Sequence, residues 1–204
     1  MSRFRPLPRE FYRRPADELA PDLLGRYLVR RVGGRRLVLR IVEVEAYLGT
    51  DDPASHAFRG ATPRNASMFL AGGHAYVYFV YGMHFCLNVV CGPAGIPHAV
   101  LLRAGEAVEG EAAMARRRGL VAGYRTRDLA GGPARLCAAL GVDRAFDGVS
   151  LARGALVLTA GEPVARRQIV RAARVGVAYA GEAARWPLRF ALRESPALSA
   201  PLAR

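Results

Sequence analysis

The sequence predicts an α+β fold, with a single domain built on a curved, mostly antiparallel β-sheet, short flanking helices and a protruding β-hairpin. Short β-branched and aromatic runs recur between turn-forming residues, which is typical of strands. Helical periodicity is confined to brief segments, and no helix-hairpin-helix signature, internal repeat or linker is present. A composition of 51% hydrophobic and 23% charged residues over 204 positions suits one domain, residues 1–204, with an ordered core over about 9–196.

The first elements are a short helix and a hairpin. Asp17 is placed to cap a helix that runs to Leu24 and ends at Gly25. The apolar run of residues 27–32 and the run from Leu37 onward flank Gly33-Gly34, a pair that favours a tight hairpin turn.

The second strand of this hairpin continues into an alternating segment, Ile41-Val42-Glu43-Val44-Glu45-Ala46-Tyr47. Side chains two apart share a face of a strand. We therefore expect Ile41, Glu43, Glu45 and Tyr47 on one face, with the small apolar residues on the other. A polar stripe facing solvent is the simplest interpretation of this face when it is taken alone.

Residues 48–66 are rich in turn formers and predict a long ordered loop, a type of segment that is often functional. His56 lies inside this loop. Two aromatic runs follow, residues 76–81 and 84–90, and Gly82-Met83 between them predicts a hairpin turn. Tyr81 then lies at the tip, where a tyrosine has little core to join.

The rest of the chain alternates short strands with short helices. Residues 100–102 predict a buried strand that Arg103 follows. Residues 106–118 predict a helix whose acids come first and whose arginines come last, which favours the helix dipole. We expect the tail, residues 195–204, to fray. The other predicted elements are a helix from Pro133 to Leu140 and strands in residues 155–158, 171–177 and 187–192.

The charge of the chain indicates a polyanionic partner. Its formal net charge is +13 with a pI near 10.9, and a domain this basic is typical of nucleic-acid binding. The arginines are scattered rather than gathered on one amphipathic helix, which disfavours a membrane surface. All 30 basic residues are arginine, so only the α-amino terminus could form a Schiff base, and a lysine-based lyase mechanism is excluded.

Cysteine usage and hydropathy indicate a cytoplasmic protein. Three cysteines without close pairs read as reduced thiols, and neither a secretory signal nor a membrane span is expected. We expect no metal and no cofactor. One conceivable ligand set has spacings that fit no zinc pattern, and it consists of His84, Cys86, Cys91 and His98.

A strand carboxylate, a histidine and several tyrosine faces in a very basic protein suggest a pocket for a nucleobase. Four segments, IVEVEAYLG, TPRNASMF, YVYFVYGMHFCLNVV and VLLRA, carry a close resemblance to the alkyladenine (3-methyladenine) DNA glycosylase family found in mammals and many bacteria. The similarity extends from about Phe11 to Pro196. The resemblance implies a monomeric, monofunctional enzyme of base excision repair that acts on double-stranded DNA containing damaged purines.

The resemblance also implies a role for individual residues. Glu45 matches the general base that activates water, and Arg103 matches the arginine that positions this water together with the main-chain carbonyl of Val175. Glu43, two residues earlier, remains the rival carboxylate, because spacing alone does not rank the pair. The matches to the base-binding pocket are Tyr47, His56, Tyr78 and Asn88, of which Asn88 matches the residue that disfavours guanine.

Tyr81 matches the tyrosine that enters the duplex where the base has left. The resemblance implies alkylated purines such as 3-methyladenine as substrates and extends to ethenoadenine and hypoxanthine, whose release needs a proton donor that the motifs do not identify. Phosphate contacts are expected among the arginines of loops and helix ends, with the candidates Arg64, Arg116, Arg117, Arg118, Arg125 and Arg127.

The sequence departs from the mammalian pattern in three respects. The loop after His56 is about one residue shorter, His84 stands for a tyrosine, and Ala183 stands for a tryptophan. These changes bear on which lesions are accepted. The competing interpretation is a non-catalytic nucleic-acid-binding protein, for instance one associated with ribosomes. Composition alone favours it, but it gives no joint purpose to Glu45, Tyr47 and Arg103.

Overall fold

The computed structural model describes residues 4–202 and has an antiparallel sheet of eight strands at its centre, which confirms the predicted α+β class. The main path runs β3-β4-β5-β2-β1-β6; β8 also pairs with β2, and β7 pairs with β8. The strands are β1 Tyr27–Val32, β2 Arg35–Tyr47, β3 Ala75–Val80, β4 His84–Cys91, β5 His98–Glu109, β6 Leu156–Thr159, β7 Ile169–Ala172 and β8 Arg189–Leu192.

The helices are short, as the sequence predicts, and they pack on one apolar face of the sheet. The α-helices are α1 Ala16–Leu23, α2 Glu111–Arg117, α3 Thr126–Ala130 and α4 Pro133–Leu140. Turns of 3-10 helix occupy Arg9–Tyr12, Gly49–Asp51, Ala66–Phe69, Arg144–Phe146, Arg166–Gln168 and Ala178–Arg185. No helix among residues 4–202 has the length and apolar character that crossing a membrane requires.

Both predicted hairpins form. The first has the primed turn expected at Gly33-Gly34, whereas the second turns over Tyr81 to Met83, one residue earlier than the predicted Gly82-Met83. Gly33 and Gly34 join β1 to β2 with φ values of +54° and +73°. Tyr81 and Gly82 lie between β3 and β4 with φ values of +52° and +68°. At Gly33-Gly34 the two successive positive φ angles match the tight two-residue turn whose twist agrees with that of the strands. The second loop has three residues, because Val80 pairs with His84.

A β-bulge in β2 changes which side chains face the core. Leu39 and Ile41 pack in the main core, and so do Val42 and Val44, so the core-facing positions change from odd to even after residue 41. The pairing with β5 is irregular at the same place. The prediction that Ile41 shares a face with Glu43 is therefore wrong, because one extra residue in a bulge reverses the alternation. The shift leaves Glu43 and Glu45 together on the opposite face.

Two predicted helix starts are also wrong. The helix expected over residues 106–118 starts at Glu111, because residues 98–109 form one long strand paired with β2. Arg103 consequently lies within β5 instead of following a strand. Helix α1 starts at Ala16 after Pro15, so Asp17 is inside its first turn and does not cap it.

The C-terminal tail is packed, contrary to the expectation that it frays. Ala197 is fully buried in the main core, and Ser199 and Ala200 are half-buried. Residues 203–204 of that expected frayed segment lie outside the described residues. The strand expected over residues 171–177 is Ile169–Ala172, and the residues after it belong to the wall of a cavity instead.

Candidate active site

A cavity of about 380 Å³ opens between the end of β2, the β3–β4 hairpin and the segment after β7. Pockets of this size hold small organic molecules. The cavity is lined by all four residues that the sequence analysis matched to a base-binding pocket, Tyr47, His56, Tyr78 and Asn88. Arg103, Val175 and Tyr81 also line it. Its other walls include Ala54, Arg64, Met68, Tyr76, Val80, Cys86, Ala99, Leu101, Pro133, Gly176, Val177 and Tyr179.

Glu45 lies immediately behind this wall and is fully buried. Its Oε1 accepts a hydrogen bond of 2.7 Å from the backbone N–H of Val175. Its Oε2 accepts from the Tyr47 hydroxyl at 3.0 Å and from Nη1 of Arg103 at 3.2 Å. All three partners line the cavity. A carboxylate offers about four lone-pair sites, so Glu45 retains capacity for one further donor such as water.

Glu43 is equally buried but is held differently. Its Oε1 accepts from Nε of Arg103 at 3.1 Å, from Nε of Arg189 at 2.7 Å and from the Ser199 hydroxyl at 2.7 Å. Its Oε2 accepts from the Ser199 amide at 2.6 Å. Three of these four bonds go to Oε1, and of the three partner residues only Arg103 lines the cavity. The geometry thus separates two carboxylates that the spacing could not rank.

Arg103 joins the two carboxylates. The pairing of β2 with β5 passes from Glu43↔Ala104 to Val44↔Leu102, which leaves Arg103 at a bulge. From there its guanidinium forms ion pairs with Glu43 at 3.1 Å and Glu45 at 3.2 Å. Although burial acts against the charge, the two carboxylates raise the pKa of Arg103.

The aromatic wall on the hairpin side consists of His56, Tyr76 and Tyr78. The rings of His56 and Tyr78 meet edge to face with centroids 4.5 Å apart, and Nδ1 of His56 lies 2.9 Å from the Tyr76 hydroxyl. Partial enclosure by these rings, followed by the nearby Arg64 charge, lowers the pKa of His56. The shift favours the neutral form of the imidazole.

Tyr47 belongs to a separate packing group with Ala54, Val177 and Trp186. Burial and, next, the charge of Glu45 raise the pKa of Tyr47 well above its ordinary value, so its hydroxyl stays protonated and donates to Glu45. The guanidinium of Arg174 lies 4.8 Å from the ring centroid. One face of Tyr47 is thus covered by the protein itself.

The ion pair of Arg174 with Asp52, unnoticed in the sequence, ties the site together. Both side chains are fully buried, and Nη2 of Arg174 donates to Oδ1 of Asp52 at 2.8 Å. Arg174 also donates to the carbonyl of Ala46, while Asp52 accepts from the amides of Leu48 and Ala54. The pair fixes the loop that carries His56 against the segment that carries Val175.

Two buried asparagines complete the walls. Nδ2 of Asn65 donates to the carbonyls of His56 at 2.9 Å and Gly60 at 3.0 Å, which closes the loop after His56. Nδ2 of Asn88 donates to the carbonyl of Tyr76 at 3.1 Å from the neighbouring strand. The Asn88 side chain is therefore held in one orientation at the cavity.

Tyr81 stands at the mouth of the cavity, at the tip of the β3–β4 hairpin. Its side chain is 86% exposed, and it is the one residue other than glycine with positive φ among residues 4–202. Such a backbone is costly for a tyrosine, and conformations of this kind cluster at functional positions. Met83 beside it is also strongly exposed.

The arginines named as phosphate contacts are dispersed. Arg64 lines the cavity and donates to the carbonyl of Phe79. Arg118 donates to the carbonyls of Leu129 and Asp128, and Arg125 is paired with Asp128. Arg116 and Arg117 are exposed, and Arg127 is half-buried.

The sequence reasoning missed five residues of the site. Asp52 and Arg174 are 122 positions apart, and Ser199 is 156 positions from Glu43, so no local pattern links them. Arg189 and Tyr179 were likewise passed over. The available signal was weak: Arg174 and Arg189 are arginines in otherwise apolar surroundings, where an arginine needs a partner.

The four residues weighed as metal ligands do not form a ligand set. Across residues 4–202, His, Cys, Asp and Glu side chains form no group of three or more that could hold a metal ion. Cys86 and Cys91 are buried, and His98 accepts a hydrogen bond from the amide of Ala16.

Comparison with known proteins identifies the family of the chain. Residues 10–196 match the model of the family described as "Methylpurine-DNA glycosylase (MPG)". Two proteins named "Putative 3-methyladenine DNA glycosylase" are similar over nearly their whole length. The one from Streptomyces avermitilis is 51% identical over 95% of this chain and 91% of the relative, and the one from Methanocella arvoryzae is 48% identical over 95% of both.

A third protein of the same name, from Myxococcus xanthus, is 47% identical over 95% of this chain and 93% of its own length. The family match covers the strands, the loop and the hairpin that build the cavity. The chain therefore belongs to the methylpurine-DNA glycosylase family.

Proposed function

We propose that this chain is a monofunctional DNA glycosylase that removes alkylated purines such as 3-methyladenine from double-stranded DNA and leaves an abasic site. The observation that carries the proposal is the position of Glu45. A fully buried carboxylate with one free acceptor site lies behind an aromatic cavity, bonded to three residues that line it.

In the proposed reaction Glu45 accepts a proton from water while the oxygen of that water bonds to C1′ of the deoxyribose. The bond from C1′ to N9 of the purine breaks, and its electron pair leaves with the base. Positive charge builds on the sugar in the transition state, and a nearby carboxylate stabilises it. Arg103 and the backbone N–H of Val175 hold the carboxylate in place. The Val175 carbonyl is assigned to orient the water.

Recognition of the base is assigned to Tyr47, His56, Tyr78 and Asn88. An alkylated purine that carries positive charge gains roughly 0.5 to 2 kcal/mol over an electron-rich ring. Because Arg174 already covers one face of Tyr47, the base uses the other face of that ring. The buried, fixed amide of Asn88 is the group that would crowd an additional amino group on guanine.

Tyr81 is assigned to insertion into the duplex at the place that the extruded base has left. Unstacking a base costs a few kcal/mol, and an inserted aromatic side chain recovers part of that cost. The exposed position of Tyr81 at the cavity mouth supports this role. Arg64, at the same mouth, is the best placed of the phosphate candidates, since it is exposed and lines the cavity.

The test incubates the purified protein with duplex DNA alkylated by a methylating agent and measures free purine by chromatography. The proposal predicts release of methylated purines and intact strands containing abasic sites, because no lysine is present to carry a lyase reaction. Binding to the same DNA without release above background would instead support a non-catalytic nucleic-acid-binding protein.

A further inference from the structure

The C-terminal segment contacts a buried ionic cluster behind the cavity. This cluster consists of Glu43, Glu45, Arg103 and Arg189. Ala197 anchors the C-terminal segment in the core, and the residues after it pass over the arginines of the cluster. Nε and Nη2 of Arg103 donate to the Ser199 hydroxyl at 3.1 Å and 3.0 Å. Arg189 donates to the carbonyls of Ala200 at 2.6 Å and Pro201 at 3.2 Å.

Ser199 forms hydrogen bonds with an acidic and a basic residue of the cluster, Glu43 and Arg103. Its amide donates to Oε2 of Glu43 at 2.6 Å, and its hydroxyl donates to Oε1 of Glu43 at 2.7 Å. The same hydroxyl oxygen accepts from Arg103. One small side chain thereby sets the spacing between Glu43 and Arg103, and through Arg103 it reaches Glu45.

We propose that Ser199 is a positioning residue for the proposed glycosylase reaction, acting through Arg103 on the water-activating carboxylate Glu45. This inference rests on the function proposed above. The guanidinium of Arg103 has its Nη1 on Glu45 and its Nη2 on Ser199, so the two bonds fix opposite sides of one planar group. Without the Ser199 hydroxyl, the guanidinium can rotate toward Glu43 and lengthen its bond to Glu45.

Positioning of this kind affects the chemical step more than binding, because Ser199 does not line the cavity. A misplacement of about 1 Å in a catalytic group costs up to roughly a hundredfold in rate. A purely structural tail, in contrast, would lower stability without a specific effect on the rate of base release.

The experiment compares Ser199→Ala with Ser195→Ala, a matched change in the same segment. The Ser195 hydroxyl bonds to Glu106 at 2.6 Å, outside the cluster. Single-turnover release of 3-methyladenine is expected to slow by roughly tenfold to a hundredfold in Ser199→Ala, with affinity for lesion DNA within about twofold of wild type. Ser195→Ala is expected to release the base at the wild-type rate.

A third variant, Ser199→Thr, keeps the hydroxyl and should restore most of the rate. Equal rates of base release in wild type and Ser199→Ala would overturn this inference and leave the proposed function intact. A loss of lesion affinity in Ser199→Ala as large as its loss of rate would have the same consequence. Slow release by both Ser199→Ala and Ser199→Thr at unchanged melting temperature would also overturn it. Absence of any release by the wild-type protein would refute the proposed function, and this inference with it.

Discussion

At the scale of single residues, the site is organised by buried arginines and an equal number of buried carboxylates. Three arginines, Arg103, Arg174 and Arg189, lie among the three carboxylates Glu43, Glu45 and Asp52, and all six are buried. Removing charges from water is costly, and the cost is recovered when each group is paired and hydrogen-bonded. Within this arrangement the hydrogen bonds from Tyr47, Arg103 and Val175 fix the Glu45 carboxylate next to the cavity.

The Asp52–Arg174 pair provides a test of this balance. Asp52→Asn leaves the charge of Arg174 buried without its carboxylate, so we expect the free energy of unfolding to fall by about 3 to 5 kcal/mol. Denaturant titration measures this value. The matched control is Glu109→Gln, which breaks the exposed pair with Arg36 and should cost about 1 kcal/mol or less. Equal losses of unfolding free energy in the two variants would show that the buried pair stabilises the fold no more than the exposed pair does.

At the scale of elements, the site depends on a bulged strand and a hairpin. The bulge after Ile41 turns Glu43 and Glu45 away from the core, and the bulge at Arg103 in β5 brings the guanidinium between them. The β3–β4 hairpin supplies Tyr78, Asn88 and Tyr81 from one antiparallel pair. Irregular pairing in a sheet thus delivers the polar groups to one face.

The hairpin tip gives the second prediction. Tyr81 has a φ of +52°, a conformation that glycine adopts without steric cost. We expect Tyr81→Gly to keep the melting temperature or to raise stability by up to about 1 kcal/mol, while its affinity for lesion duplex falls. Calorimetry and fluorescence anisotropy measure the two quantities. A variant with unchanged lesion affinity would remove the role of Tyr81 in capture.

Local elements could be predicted from the sequence, and the contacts between distant segments could not. The hairpin turn at Gly33-Gly34 follows from the backbone that glycine permits, and α4 follows from Pro133 and the apolar residues after it. The second turn was predicted one residue too late, at Gly82-Met83, because a positive φ at a tyrosine is not expected from the sequence. The bulge in β2 left no mark in the alternation of residues 41–47. The Asp52–Arg174 and Glu43–Ser199 contacts depend on the order of strands in the sheet, which short-range patterns do not encode.

At the scale of the whole molecule, charge governs the encounter with DNA. The chain has 30 basic and 17 acidic residues, so its field attracts a polyanion before any specific contact forms. The logarithm of the affinity for DNA falls linearly with the logarithm of salt concentration, because each phosphate contact releases counterions. In the proposed function, selection of the lesion is assigned to the aromatic walls of the cavity.

Salt dependence therefore gives the third prediction. Arg64→Ser should reduce the slope of log affinity against log salt by about one, because Arg64 lies at the cavity mouth. Arg36→Ser is the control, since Arg36 and Tyr47 lie near opposite ends of β2, roughly 36 Å apart along the strand. Equal slopes for Arg64→Ser and wild type would show that Arg64 does not contact a DNA phosphate.

The most direct measurement compares Glu45→Gln with Glu43→Gln in single-turnover release of 3-methyladenine from a duplex that holds one lesion. Because the proposed role of Glu45 is to accept the proton of the attacking water, Glu45→Gln should bind the lesion duplex normally and release the base at least about a hundredfold more slowly. Glu43→Gln should retain the larger share of the activity. Normal release by Glu45→Gln together with an inactive, folded Glu43→Gln would contradict the account.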